Sequence, residues 1–69
     1  MYFHINILFI NGLIDRAHEH LDSNLHREAV KLYPKINFIY QNLPDESRAK
    51  IYDRCAELHK RITKKISLL

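Results

Sequence analysis

Leu43-Pro44-Asp45-Glu46 is the stretch on which the reading of this chain turns. Proline carries no backbone N–H, so it stops a helix yet fits the first position of a new one. Asp45 and Glu46 then put negative charge where the new helix dipole is positive. Apolar residues recur at helical spacing on both sides of this joint. Before it run Leu25, Ala29, Leu32, Ile36, Ile39 and Leu43; after it run Ile51, Cys55, Leu58, Ile62, Ile66 and Leu69. Steps of three or four stack side chains on one face of an α-helix. The four residues therefore read as the joint of a helical hairpin.

Upstream, the first segment offers two readings. As a helix over 3–21 it gives a third stripe of Phe3, Ile7, Ile10, Ile14, Ala17 and Leu21. As a strand, Phe3, Ile5, Ile7 and Phe9 alternate with His4, Asn6 and Leu8, ending at an Asn11-Gly12 turn. Leu13, Ile14, Ala17 and Leu21 cannot alternate, and a lone strand has no partner here. A helix is favoured from Gly12 onward, with residues 1–10 either continuing it or forming a separate arm before a helix that Asn11 caps. The expected fold is all-α: a single three-helix domain over 1–69, an up-down-up antiparallel bundle with helices at 3–21, 25–41 and 44–67. Short loops force neighbouring helices to be antiparallel.

Local details follow from the same rules. Ser23 or Asn24 is placed to cap the second helix, with Glu28 near its positive end. Asn42 is placed to take the left-handed cap conformation, and Pro44 the first position of the third helix. Pro34 falls inside the second helix, where it removes the bond to the Val30 carbonyl at a cost of about 3 kcal/mol. It points away from the stripe, so a kink near Val30–Pro34 is expected in one bent helix.

Composition narrows the class. A chain of 69 residues buries only about 60% of its unfolded surface, so its stability is small. One cysteine allows no internal disulfide and suggests no structural zinc. Helix packing, helped by self-association, must do the work. With 46% hydrophobic and 28% charged residues the chain is globular, and one Gly with two Pro favours long helices. A net charge of +3 is too weak alone to argue for nucleic acid. The apolar start lacks a basic leader and is interrupted by His4 and Asn6, so neither a signal peptide nor a membrane span is expected. A cytoplasmic location is the default.

Ala17, Leu21, the polar turn Ser23-Asn24, then Leu25, Ala29 and Tyr33 resemble the tetratricopeptide repeat, in which small residues sit where two antiparallel helices touch. Glu28-Ala29-Val30-Lys31-Leu32-Tyr33 is similar to helix two of the three-helix microtubule-interacting and trafficking domain. The match spans residues 13–43. Ile36 stands where the repeat usually has alanine, Ser23 replaces a frequent glycine, and Pro34 interrupts the helix. Only one copy is present, whereas stacked repeats need about three. The resemblance implies a hairpin and a protein-binding role, without naming a ligand.

No catalytic set is legible: the thiol of Cys55 lies on a core stripe, and the pairs Asp45-Glu46 and Asp53-Glu57 are typical of solvated helix surfaces. His18 with Asp22, and Cys55 with His59, have the i, i+4 spacing of a metal-binding pair. Buried thiols and solvated neighbours explain them more simply, so no metal, cofactor or small-molecule substrate is expected. The leading expectation is a non-catalytic module that binds a protein partner or itself. A groove lined by Tyr33, Tyr40 and Tyr52, with Lys60, Arg61, Lys64 and Lys65 at one end, would take the partner. Surplus apolar residues on the first segment (Tyr2, Ile5, Phe9 and Leu13) would form the surface for a homo-oligomer. The alternative is a small basic nucleic-acid-binding protein using the Lys/Arg-rich end of the third helix.

Overall fold

Three helices in sequence build the protein: α1 (Tyr2–Asp22), α2 (His26–Gln41) and α3 (Asp45–Leu68). The computed structural model describes the backbone of residues 2–68 and the side chains of residues 7–64. Every pair of helices packs together, giving the expected three-helix bundle. It is a rod of 41 × 16 × 15 Å. The α1 helix begins at Tyr2 and runs unbroken past Gly12, so the strand and separate-arm readings of the first ten residues do not hold.

Direction is visible in the cross-helix contacts. His26 meets the Ile62 carbonyl and Tyr33 meets His59, so α2 and α3 run in opposite senses. Asn11 and Asp15 meet Arg54, whereas His18 and Asp22 meet Arg61, so α1 and α3 run the same way. This is the up-down-up order.

The core is the meeting of the three stripes. Ile10, Ile14, Ala17 and Leu21 from α1 face Ala29 and Ile36 from α2 and Ile51, Leu58 and Ile62 from α3, with Leu43 closing one end. Ala17 and Ala29 are both fully buried, which lets α1 and α2 approach closely. Leu25 departs from its stripe: it precedes α2 and is 48% exposed.

The helix ends differ from the sequence expectation in three places. Asn24 has φ 62° and terminates α1 instead of capping α2. The Asn24 N–H donates to the Leu21 carbonyl (3.1 Å) and the Leu25 N–H to the His20 carbonyl (2.7 Å), the paired bonds of a Schellman motif. Asparagine tolerates this left-handed backbone better than most residues, because its short polar side chain bonds locally. At the other joint Asn42 stays at φ −95°, and its side-chain amide donates to the Phe38 carbonyl at 2.8 Å. Pro44 sits one residue before α3, its carbonyl accepting the Arg48 N–H at 2.9 Å. Pro34 is exposed, and α2 remains one helix through it.

Candidate functional site

The seam between α1 and α3 is polar and repeats every seven residues. Arg54 donates through Nη1 to Asn11 Oδ1 at 2.7 Å and through Nη2 to Asp15. Arg61 donates through Nη2 to Asp22 Oδ1 at 2.8 Å and through Nη1 to His18 Nδ1 at 2.8 Å. Each guanidinium fork spans two acceptors one helical turn apart on α1, a geometry lysine cannot supply. Arg61 is therefore turned toward α1, where Asp22 and His18 hold it, although the sequence reading grouped it with Lys60 and Lys64 for a partner. Both of those lysines are exposed, whereas the side chain of Lys65 lies outside the described residues. His18 and Asp22 do share a face, and what they hold in common is Arg61. Among the described residues no group of three His, Cys, Asp or Glu side chains is arranged to hold a metal ion.

Opposite this seam, α2 and α3 diverge into a groove. Tyr33, Tyr40 and Tyr52 line one cavity of about 300 Å³ together with Ile36, Cys55 and His59. A second cavity of about 530 Å³ adjoins it, sharing Tyr33, Asn37 and His59 and reaching Val30, Pro34 and Ile62. The Tyr33 hydroxyl lies 2.9 Å from His59 Nδ1, and the two rings stand 5.5 Å apart. Partial burial raises the pKa of the Tyr33 hydroxyl, and the neighbouring Cys55 thiol raises it further. Burial likewise raises the Cys55 thiol, a trend that Arg54 partly opposes. A thiol held protonated is a poor nucleophile.

The free surface of α1 is the other notable feature. Leu8 is 72% exposed and Phe9 51%. On α2, whose C-terminal half runs beside them, Phe38 is 70% exposed. Lys35, one turn before Phe38, places its ammonium 5.7 Å from the centre of the Phe9 ring. Leu13 does not belong to this surface: it is buried in the core, because α1 packs against both other helices and its buried arc is correspondingly wide. The side chains of Tyr2 and Ile5 lie outside the described residues. Leu8 and Phe38 were not singled out by the sequence reading. Both stand off their own stripes, and an apolar residue off its stripe is the signal that would have marked them.

The chain matches no protein-family model, no curated protein and no solved structure. The resemblance to the tetratricopeptide repeat thus rests on the spacing of Ala17, Ala29 and Tyr33. Among the described residues no helix is long and apolar enough to cross a membrane.

Proposed function

We propose that this protein is a non-catalytic helical interaction module that associates with itself through the outer face of α1. One observation carries the reading: Leu8, Phe9 and Phe38 are each at least half exposed at the same end of a bundle that already has a closed core. Large side chains of this kind gain free energy, about 25 cal/mol per Å² of apolar surface, when a second body covers them. The groove between α2 and α3 offers a second apolar surface, with tyrosine hydroxyls at its edges, for a segment of another protein. For the alternative nucleic-acid reading, Arg61 is paired with Asp22 while Lys60 and Lys64 are exposed.

Sedimentation equilibrium of the wild-type chain and of a Leu8→Ser/Phe9→Ser variant tests the self-association. The wild type is expected to gain mass with concentration and the variant to stay monomeric. Equal behaviour of the two, at any concentration, would remove α1 as the interface.

A further inference from the structure

The two arginine clamps on the α1–α3 seam differ at one position. Asn11 and His18 occupy equivalent places, one heptad apart on α1. Each meets Nη1 of an arginine whose Nη2 goes to an aspartate, Asp15 or Asp22. An asparagine amide does not change charge, whereas histidine is the side-chain type that ordinarily does so between about pH 5 and 8. The direction of the bond matters here. A guanidinium only donates, so the 2.8 Å contact makes His18 Nδ1 the bare nitrogen and leaves the ring proton on Nε2. The other two histidines that bridge helices have partners that tolerate a second proton. The Ile62 carbonyl only accepts, so His26 Nε2, at 3.4 Å, carries hydrogen in either charge state. The Tyr33 hydroxyl beside His59 Nδ1 can donate or accept.

We propose that His18 is an acid-sensitive latch: once protonated it takes Asp22 for itself, and Arg61 lets go of α1 while Arg54 stays on Asn11 and Asp15. The proton comes from solvent, to which the half-buried His18 is open. On Nδ1 it replaces a lone pair by an N–H that faces the Arg61 N–H. An attraction becomes a contact between two donors and two positive charges. Asp22 follows His18 by four residues on the same face of α1, so the charged ring finds a carboxylate within one turn. Arg61 then loses both acceptors together. The other charged groups around His18 do not reverse this. Asp15 lies one turn earlier and is held by Arg54. On α3, Glu57 and Lys64 stand one turn to either side of Arg61, both exposed. On α2, His26 reaches the Ile62 carbonyl next to Arg61, and its protonation adds positive charge beside the guanidinium, which acts in the same sense.

Carbon-detected NMR of the guanidinium groups reads the latch directly. A guanidinium held by two acceptors gives two Nη signals, whereas one that rotates freely gives a single averaged signal. In the wild type, Arg54 and Arg61 are both expected to show two signals at about pH 8, and Arg61 alone to collapse to one at about pH 5. His18→Asn gives the Arg61 clamp the residue that the Arg54 clamp has, so in that variant Arg61 is expected to keep two signals at both pH values. Wild-type Arg61 signals that do not change between the two pH values overturn the latch. A collapse that persists in His18→Asn overturns it as well, because its origin then lies in His26, His59 or a carboxylate. Collapse of Arg54 together with Arg61 is a general loosening of the bundle and overturns it too.

Discussion

Arg61 of α3 lies 2.8 Å from the Asp22 carboxylate of α1, and one heptad earlier Arg54 pairs in the same way with Asp15. These pairs fix the axial register of two helices that are not neighbours in sequence. Apolar stripes alone would allow a slide of one turn, because leucine and isoleucine pack almost as well one turn away. A fork that must meet two acceptors at once does not allow it. The pairs are partly exposed, so their energetic contribution is small and their geometric role the larger one.

A double-mutant cycle on Arg61→Ala and Asp22→Ala is expected to give a coupling of about 0.3–1 kcal/mol at low salt. The coupling should shrink at about 1 M salt, where the Debye length is ~3 Å. A coupling of zero at low salt would show the contact to be incidental.

Core substitutions should act through volume. Ala17 and Ala29 are fully buried at the α1–α2 contact, so Ala17→Leu is expected to cost about 1–3 kcal/mol by forcing the helices apart. Ile14→Ala, at another fully buried position, should cost about 2–5 kcal/mol. For a domain this small either loss approaches the whole stability, and urea melts would report it. A melt of Ala17→Leu indistinguishable from wild type would contradict close helix approach.

Pro34 is exposed inside α2, so Pro34→Ala restores a donor to the Val30 carbonyl. Stability is expected to rise by about 1–3 kcal/mol, the helix-interior cost of proline less its restriction of the unfolded chain. No gain in thermal melting would mean that the proline contributes compensating contacts at the groove edge, where it lines the larger cavity.

Alkaline pH should loosen the α2–α3 groove. Tyr33 and Cys55 have folded pKa values raised above 10.0 and 9.0, their ordinary ones, mainly by burial. Groups shifted upward stabilise the fold fully below their unfolded pKa and lose that contribution as pH rises through the folded one. These two groups therefore add no pH dependence well below pH 9.0, and stability is expected to fall above it. Tyr33→Phe and Cys55→Ala should each flatten the fall. The Cys55 thiol should also react with a disulfide reagent more slowly than a free thiol at mildly alkaline pH. Identical pH profiles for wild type and both variants would rule out this origin.

Much of the fold was legible because three stripes with a 3.6-residue period admit few arrangements, and the joint at Leu43–Glu46 ties two of them together. The helix ends were less legible. Asn24 and Asn42 carry the same side chain, yet only Asn24 takes the left-handed conformation. That choice depends on where the following chain must go, which no local rule contains. The α1–α3 clamp was hidden for a similar reason. Asn11/His18, Asp15/Asp22 and Arg54/Arg61 all repeat at seven residues, but pairing them requires the relative height of two helices separated by a third. Leu13 was assigned to the surface because one stripe per helix was assumed, whereas α1 buries a broader arc against two partners. Tyr33 and Tyr40 share a face of α2 because they are seven residues apart, and Tyr52 lines the same cavity from α3.

The central claim is that the outer face of α1 is a contact between copies. Its most direct test is the mass of the wild-type chain by light scattering at a few hundred micromolar. The account predicts about twice 8.3 kDa, falling toward a single chain on dilution. A mass of 8.3 kDa throughout would contradict it.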